Sequence, residues 1–386
     1  MASTDLPSAA PDSDIIAVLQ RSEPLTVPPT RPNDPTNNLK RVDPFQFGSR
    51  YLEQGDDVFE YNAWDHVEPD DEYLAFAEVQ YARQREFPVN DFDRQRFNND
   101  PAKWWNLFYK NNTANFFKNR KWLQQEFPVL AEVTNRGAGP KVVLEVGAGA
   151  GNTAFPLLAN NENPELRLHA CDFSKEAVKV MRASKHYGSE IMTADVWDVA
   201  AEGDDWMPPG LTEGTVDVVV LIFIFSALAP NQWNTALRNI YRLLKPGGKI
   251  LFRDYGRGDL AQVRFKKNRL MADNFYVRGD GTRVYFFDKE ELVYMFNKWT
   301  LEKGIEIGGG GSSEASTPAP DEGTPEGSSG GPSDAAGQTQ DANGAFEIVD
   351  LGIDRRLIVN RQRRIKMYRC WMQGHFRKRI DAEAES

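Results

Sequence analysis

Gly147, Gly149 and Gly151 directly follow a short apolar run and are the residues best suited to hold a small ligand. The run, 142–146, is typical of a buried parallel strand, and residues 156–158 beyond the glycines favour a helix. Because glycine has no Cβ, the backbone can turn tightly here and lie against a ligand. A strand, a glycine turn and a helix form the first half of a nucleotide-binding βαβ unit, although an ordinary tight turn of an α/β protein shows the same pattern.

The glycine spacing and a later carboxylate indicate which ligand is bound. A dinucleotide site needs Gly-x-Gly-x-x-Gly, but Asn152 stands where the third glycine belongs, which disfavours an NAD dehydrogenase. Residues 145–151, Glu-x-Gly-x-Gly-x-Gly, instead resemble motif I of class I S-adenosylmethionine (SAM) methyltransferases. Asp172 ends the next predicted strand, 166–171, where such units place a carboxylate on the ribose hydroxyls. The alternative is that Asp172 only caps a helix over 174–184.

Two further segments contain many cationic side chains. Residues 115–122 read Asn-Phe-Phe-Lys-Asn-Arg-Lys-Trp, and residues 355–379 hold ten Lys and Arg side chains. Rings that stack on bases, together with cations that hold phosphates, are typical of RNA-binding surfaces. The alternatives are a helix with a buried aromatic face for the first segment and a strand edge guarded by solvated cations for the second.

The elements that position these residues alternate between apolar strands and helices from about 136 to 300, which predicts an α/β, Rossmann-like class I fold. Strands are predicted at 142–146, 166–171, 192–195, 218–225 and 249–252, and helices over 70–86 and 101–109. Two later segments, 346–359 and 365–372, are predicted to form the antiparallel pair that closes a seven-stranded sheet.

Composition divides the chain into distinct parts. Residues 1–40 are rich in Pro, Ser, Asp and Thr and are predicted to be disordered. Residues 41–135 are dense in aromatic side chains and are predicted to form a mainly helical RNA-binding extension. Residues 136–380 form the predicted methyltransferase domain. Its interruption at 308–345 contains no Lys, Arg, aromatic, Ile, Leu, Val or Met, so we expect a disordered insertion there.

The composition of the 386 residues excludes several classes of protein. The net charge of −10 argues against uniform coating by nucleic acid, so any RNA surface must be local. Cys171 and Cys370 are too few for a disulfide framework, which favours a reducing compartment. The four histidines lack metal-ligand spacing with the cysteines, so no metal is expected. The chain shows neither a secretory leader nor a membrane-spanning apolar run, and we expect a cytoplasmic protein with no membrane partner.

Several longer stretches strengthen the interpretation. From about Phe45 to Lys378, apart from the insertion, the chain resembles the eukaryotic tRNA N3-methylcytidine methyltransferases, a methyltransferase-like group. The stretches that carry this resemblance are Asn62-Ala63-Trp64-Asp65, Trp105-Asn106-Leu107-Phe108-Tyr109, Phe116-Phe117-Lys118-Asn119-Arg120-Lys121-Trp122, Leu251-Phe252-Arg253-Asp254-Tyr255-Gly256, Asn274-Phe275-Tyr276-Val277-Arg278 and Gly281-Thr282-Arg283. The first points to the branch that acts mainly on threonine tRNAs. Asn119 and Lys121 are similar to fungal rather than animal members.

The resemblance implies a substrate, a cofactor and a set of contacts. The substrate is the cytidine at position 32 of the tRNA anticodon loop, mainly in threonine tRNAs, with serine or arginine tRNAs as alternatives. A helper protein or an aminoacyl-tRNA synthetase is a further expected partner. The cofactor is SAM, and its contacts, including those of the glycine turn, are Trp105, Tyr109, Gly147, Gly149, Asp172, Asp195, Val196 and Ile222. Trp105 and Tyr109 are four residues apart, share one helix face and are predicted to close over the methionine moiety.

The chemistry of such a reaction sets what a catalytic residue must do. Neutral cytosine N3 has an in-plane lone pair and needs no deprotonation, so alignment of the two reactants is the main task. A loop base is extruded more cheaply than a paired one. Because the product ring is cationic, a nearby carboxylate stabilises the developing charge. Asp254 is the candidate, with Arg253 and Tyr255 as neighbours; the alternative is that Asp254 caps a helix or pairs with Arg253.

Candidate RNA contacts come from the cationic segments and from residues 276–287. They are Lys118, Arg120, Lys121, Arg278, Arg283, Arg355 and Arg356. The alternation within 276–287 also fits a half-buried strand. Two other functions are open at this point: a methyltransferase for a protein or small metabolite, which would not need the aromatic and basic segments, and an RNA-binding subunit without activity.

Overall fold

A computed structural model describes residues 50–120, 122–188, 190–305 and 344–380. The predicted tail, 1–40, lies outside these residues, as does the predicted insertion before Gly344. The described strands, in chain order, are β1 (Ala63–Asp65), β2 (Lys141–Val146), β3 (Leu166–Asp172), β4 (Met192–Val196), β5 (Val216–Ile222), β6 (Leu244–Tyr255), β7 (Leu270–Ala272), β8 (Phe275–Val277), β9 (Arg283–Tyr285), β10 (Phe346–Asn360) and β11 (Ile365–Lys378). Eight of them form one large sheet, and β7, β8 and β9 form a small antiparallel sheet.

One half of the large sheet is parallel, as the alternating pattern predicts. The order across the sheet is β1-β10-β11-β6-β5-β2-β3-β4, and neighbouring strands from β6 to β4 run parallel. Val143 packs into one hydrophobic core while Leu144 and Val146 pack into another, so the sheet is covered on both faces. Burial on both faces explains why β2 and β5 are continuous apolar runs rather than alternating ones.

The other half is antiparallel and contains one strand more than predicted. The expected pair, β10 and β11, is confirmed, and β11 pairs with β6. An eighth strand, β1, pairs with β10 through Ala63 and Ile358. β6 is longer than the predicted 249–252 because β11 continues its ladder to the Trp371–Tyr255 pair. Residues 253–255 therefore lie within the strand rather than beyond its tip.

The described helices are α1 (Asp71–Glu86), α2 (Asp91–Asn99), α3 (Pro101–Asn112), α4 (Leu123–Glu126), α5 (Pro128–Val133), α6 (Ala154–Ala159), α7 (Lys175–Arg182), α8 (Trp233–Leu243), α9 (Leu260–Val263) and α10 (Lys289–Lys298). The predicted helix starts at α1 and α3 are confirmed. Asp70 accepts a hydrogen bond from the Tyr73 amide at 2.9 Å, and Asp100 accepts one from the Lys103 amide at 3.0 Å. Both side chains satisfy amides that the first helical turn leaves free.

The N-terminal elements pack against the C-terminal end of the chain and against the nucleotide-binding half. Trp64 is 1% exposed and shares a hydrophobic cluster with Tyr73 and Leu357. Farther along, the Asn106 side chain of α3 accepts a hydrogen bond of 2.9 Å from the Ser174 hydroxyl. Since Ser174 begins α7 just after β3, this bond fixes α3 beside the carboxyl end of that strand.

Candidate active site

A cavity of about 380 Å³ opens at the carboxyl ends of the parallel strands β2, β3 and β5. In open parallel sheets, ligands bind in the crevice at this edge, where neighbouring connections diverge. Six of the eight predicted cofactor contacts line the cavity: Trp105, Tyr109, Gly147, Gly149, Asp172 and Ile222. Their positions along the sequence span α3, the turn after β2, and the ends of β3 and β5.

The glycine turn after β2 has a backbone that other residues would strain. Gly147 and Gly149 have φ angles of +66° and +59°, in the left-handed region that favours glycine. A Cβ on Gly147 would lie 2.6 Å from Cδ1 of Ile224, and one on Gly149 would collide with the hydroxyl of Tyr109. The turn therefore brings bare backbone to the cavity wall, which suits close approach of a ligand such as SAM.

Asp172 is held at the same wall by two backbone amides. Its Oδ2 accepts a hydrogen bond from Gly149 N at 2.9 Å, and its Oδ1 accepts one from Ser174 N at 2.8 Å. Burial raises the pKa of Asp172 to about 6, against these two hydrogen bonds, which lower it. The side-chain cap of α7 is Ser174, which accepts from the Ala177 amide, so the helix-cap alternative for Asp172 is wrong. Each carboxylate oxygen retains a lone pair for a ligand.

Aromatic side chains from α3 form one wall of the cavity. The rings of Trp105 and Tyr109 are 6.0 Å apart and nearly parallel, as their four-residue spacing predicts. Phe108 packs edge-on against both rings. These residues come from the N-terminal region, so the cavity needs that region as well as the sheet.

The segment after β5 also lines the cavity, in an unusual conformation. Phe223 has a φ angle of +61°, which is rare for an aromatic residue. Its amide donates a hydrogen bond of 2.8 Å to the carbonyl of Arg253, and its ring lies 4.8 Å from the ring of Tyr255. The strained backbone thus pairs two aromatic rings in the lining of the cavity.

Cationic side chains line the cavity together with these aromatic rings. Lys118, Arg120 and Arg278 line the cavity, and the guanidinium of Arg278 lies 5.5 Å from the ring centroid of Tyr255. The described residues between α3 and α4 form turns rather than a helix, so the helix alternative for 115–122 is wrong. Arg120 is deeper than the other two cations: it donates to the Thr153 hydroxyl, and burial lowers its pKa.

Of the three predicted catalytic residues, Tyr255 lines the cavity, whereas Asp254 and Arg253 do not. Asp254 is fully buried and accepts hydrogen bonds from the amides of Ser226 and Tyr255, at 2.9 and 2.8 Å. Burial raises its pKa to about 6. Arg253 does not pair with Asp254; it pairs with Asp354, 2.5 Å away. Side chains alternate along a strand, so Asp254 points to the opposite face of β6 from Tyr255. Arg253 lies on the same face as Tyr255, but its guanidinium is engaged by Asp354 and by the side chain of Gln373.

Two predicted cofactor contacts and several predicted RNA contacts lie outside the cavity lining. Asp195 forms an ion pair of 2.7 Å with Arg182, and Val196 is 50% exposed. Arg283 is buried and donates to Asn98 and Gln232.

Arg355 and Arg356 also have partners within the protein. Arg355 pairs with Glu68 at 2.9 Å, and Arg356 pairs with Asp354 at 3.2 Å and with Asp65 at 3.5 Å. Lys121 lies outside the described residues.

The cavity also contains residues that were not predicted. They are Phe173, Phe223, Ile224, Ser226, Asp280 and Thr282, among others. Trp122, which belongs to the predicted RNA-binding segment 115–122, also lines the cavity. Asp280 stands between two stretches that carry the family resemblance, 274–278 and 281–283. This position in the sequence was the signal that could have identified Asp280 as a site residue. Phe223 and Ile224 follow directly from the apolar run of β5, so hydrophobicity alone gave no sign that they leave the strand.

Comparison with known proteins decides the family. The sequence family described as "Methyltransferase domain" matches residues 144–250. A tRNA(Thr) (cytosine(32)-N(3))-methyltransferase from Saccharomyces cerevisiae is 46% identical over 86% of this chain, which spans 46% of that protein's length. A tRNA N(3)-methylcytidine methyltransferase from Schizosaccharomyces pombe is 43% identical over 86% of this chain and 92% of that protein. The chain belongs to the tRNA N3-methylcytidine methyltransferase family.

A third relative in this family, from Drosophila melanogaster, is 38% identical over 88% of this chain and 90% of its own length. Membership of the tRNA N3-methylcytidine methyltransferase family confirms the predicted resemblance and the class I methyltransferase fold, for which SAM is the methyl donor. Among the described residues, no group of three His, Cys, Asp or Glu side chains is placed to hold a metal ion. No helix in the described ranges is long and apolar enough to cross a membrane.

Proposed function

We propose that this protein transfers the methyl group of SAM to N3 of the cytidine at position 32 in the tRNA anticodon loop, mainly in threonine tRNAs. The names of the two yeast relatives support this substrate, and one of them specifies cytosine 32 and threonine tRNA. The observation that carries the proposal is one continuous cavity. It joins the glycine turn and Asp172 to a wall of aromatic and cationic side chains.

The cofactor side of the cavity has the groups that SAM needs. Bound SAM supplies a methyl group on a positively charged sulfur, which a ring nitrogen attacks directly. We assign the turn at Gly147 and Gly149 to the amino-acid tail, because bare backbone leaves room there. We assign Asp172 to the ribose hydroxyls, since its oxygens retain lone pairs after accepting the two amides.

The remaining cofactor contacts are assigned by their place around Asp172. Trp105 and Tyr109 cover the methionine moiety from α3, and Ile222 lies along the adenine from the end of β5. Asp195 and Val196 are proposed for the adenine end. Val196 pairs with Asp172 in the ladder between β3 and β4. Asp195 and Val196 therefore lie at the carboxyl end of β4, next to the residue assigned to the ribose.

The substrate side suits an extruded pyrimidine with its phosphates. The rings of Phe223 and Tyr255 offer stacking surfaces for the base. The cations Lys118 and Arg278 line the same cavity and are assigned to the phosphates of the RNA. Asp254 and Arg253 act as positioning residues in this proposal. Asp254 binds the amide of Ser226, which lines the cavity, and Arg253 holds the end of β6 to β10 through Asp354.

Mass-spectrometric nucleoside analysis tests the proposal. Purified protein is incubated with SAM and threonine tRNA, and 3-methylcytidine is quantified against a matched tRNA in which uridine replaces cytidine 32. We expect 3-methylcytidine in the first tRNA and none in the second. Serine and arginine tRNAs are assayed in parallel. Product at another cytidine, or methylation of protein with none of tRNA, contradicts the proposal.

Two wider predictions belong to the same proposal. We place the reaction in the cytoplasm, since both cysteines, Cys171 and Cys370, are buried free thiols. Fractionation followed by immunoblotting tests this location. A helper protein or an aminoacyl-tRNA synthetase is tested by adding each to the purified reaction: a large gain in rate indicates a required partner, and an unchanged rate indicates that none of those added is needed.

A further inference from the structure

The hairpin between β8 and β9 presents a carboxylate to the substrate side of the cavity. Asp280 lines the cavity together with Arg278 and Thr282, on the wall that Tyr255 also borders. Among the described residues, two carboxylates line this cavity, Asp172 and Asp280. Asp172 is held beside the glycine turn by two amides, on the cofactor side. Asp280 is therefore the carboxylate placed to meet a base.

The hairpin holds Asp280 in a fixed position. Arg278 N donates to Thr282 O at 2.7 Å, and Gly281 N donates to Arg278 O at 3.1 Å. Gly281 has a φ angle of +85°, and a Cβ there would collide with the ring of Trp104. The hairpin is thus packed directly against α3, which places its backbone beside the cavity.

One oxygen of Asp280 is used within the hairpin and the other is free to accept. Oδ1 accepts from the amide of Thr282 at 2.9 Å and from its hydroxyl at 2.7 Å. Thr282 itself is 2% exposed, which anchors this oxygen. Oδ2 has no hydrogen-bond partner within the described part of the chain. A carboxylate held by one oxygen is an oriented acceptor for a donor that enters the cavity.

We propose that Asp280 accepts a hydrogen bond from the exocyclic amine, N4, of the target cytosine, and so selects cytosine and stabilises the transition state. This inference rests on the proposed function. Uracil carries a carbonyl oxygen in place of this amine, so the same carboxylate repels it. Asp280 takes the charge-stabilising role that the sequence suggested for Asp254, whose carboxylate is enclosed behind Ser226.

The movement of electrons in the reaction explains why this hydrogen bond raises the rate of methyl transfer. The lone pair of N3 forms the new N–CH₃ bond while the S–CH₃ bond breaks. The electron pair of the broken bond stays on sulfur, which becomes a neutral thioether. The ring gains one positive charge, shared by N3, C4 and N4, and no proton moves. The hydrogen bond from N4 to the carboxylate therefore strengthens as the charge develops, which stabilises the transition state more than the bound substrate.

The test combines variants with a substrate that lacks the amine. Asp280→Ala and Asp280→Asn are compared with the wild type on an anticodon stem-loop RNA. The target position carries either cytidine or the ribonucleoside of pyrimidin-2-one, which keeps N3 and has no N4. Asp273→Asn, an exposed carboxylate near the same hairpin but outside the cavity, is the matched control. Single-turnover rates and SAM affinity by calorimetry are measured for each.

On cytidine, we expect Asp280→Ala to slow methyl transfer by about 10- to 100-fold, as loss of a hydrogen bond to a charged group implies. Asp280→Asn should be intermediate, since its amide oxygen accepts without the charge. On pyrimidin-2-one, wild type and Asp280→Ala should react at rates within about 3-fold of each other, because the contact is already missing. SAM affinity should not change in any variant.

Two results overturn the inference. An equal loss on both RNAs shows that Asp280 acts on something other than N4, and an unchanged rate on cytidine shows that it has no role. In both cases the wild type still forms 3-methylcytidine, so the proposed function stands. If the wild type forms no 3-methylcytidine on the cytidine RNA, the proposed function itself fails, and this inference fails with it.

Discussion

The hydroxyl of Tyr109 lies in the space that a Cβ atom on residue 149 would occupy. Tyr109 comes from α3, before the sheet begins its parallel half, and Gly149 comes from the turn after β2. Tyr109 is 5% exposed, and burial raises its pKa well above the ordinary value, so the hydroxyl stays protonated at neutral pH. The contact makes the cofactor site a joint product of the N-terminal region and the sheet.

Gly149→Ala should weaken SAM binding by at least about 10-fold, because an alanine relieves roughly 1–2 kcal/mol of left-handed strain when the turn leaves its binding geometry, and the ligand must restore that geometry. Adding Tyr109→Phe should restore part of the affinity, since removing the hydroxyl removes the closest collision. Isothermal calorimetry on both single variants and the double variant measures the coupling. Gly188→Ala, where a Cβ meets nothing within 4 Å, is the control. A double variant no better than Gly149→Ala would show that the collision is not the cause.

SAM affinity should fall as the pH falls through about 6. The folded-state pKa of Asp172 is raised to about 6 by burial, so the carboxylate is largely ionised at pH 7 and becomes protonated below 6. Protonation removes acceptor capacity that the ribose hydroxyls need. Calorimetric titrations from about pH 5 to 8 measure the affinity. The Asp172→Asn variant should bind SAM weakly, with an affinity that does not change over this pH range. If the affinity of the variant still falls near pH 6, the titrating group is another residue.

The sequence predicted the nucleotide-binding half of the site because its signals are local. A strand, a glycine turn and Asp172 follow one another within one βαβ unit, and the periodicity of each element is visible in the sequence. The interior position of Asp254 was not predictable in this way. It depends on β11, whose Met372 pairs with Asp254 and extends β6 past its apolar run. Which of Asp254 and Tyr255 faces the cavity is then set by strand alternation.

The same distinction between local and long-range signals explains why only some of the predicted RNA-binding cations line the cavity. A count of arginines predicts a surface charge, but it does not show which guanidinium groups are already paired. Arg283 is engaged by Asn98 and Gln232, which lie far from it in sequence, and Arg356 by Asp65. These partners come from separate elements, so only the folded chain shows that Lys118 and Arg278 border the cavity instead.

Replacing Lys118 or Arg278 by alanine should reduce the salt dependence of tRNA binding. Each contact to a phosphate contributes a slope of about 0.7 to 0.9 in the plot of log affinity against log salt. Fluorescence anisotropy with labelled tRNA at several salt concentrations measures this slope. Arg283→Gln is the comparison, because its buried guanidinium is engaged within the protein. Unaltered slopes for both cavity variants would exclude phosphate contacts by these residues.

Asp354→Ala should lower the free energy of unfolding by about 3–5 kcal/mol, because it leaves the buried Arg253 without its charge partner. Asp354 is fully buried, and its carboxylate lies 2.5 Å from the guanidinium of Arg253. Urea denaturation followed by tryptophan fluorescence measures the loss. Arg355→Ala, the next residue along β10, breaks a surface pair with Glu68 and should cost less than about 1 kcal/mol. Similar losses for the two variants would contradict the different burial of the two pairs.

The pairing of β1 with β10 joins residues about 300 positions apart, Ala63 and Ile358. A ribosome releases the first of these segments long before it has made the second. The N-terminal region must therefore wait, undocked, for nearly the whole period of synthesis, and the exposed face of Trp64 becomes a natural contact for chaperones during that interval. Closure of this long-range ladder can therefore take place only after most of the chain has been made.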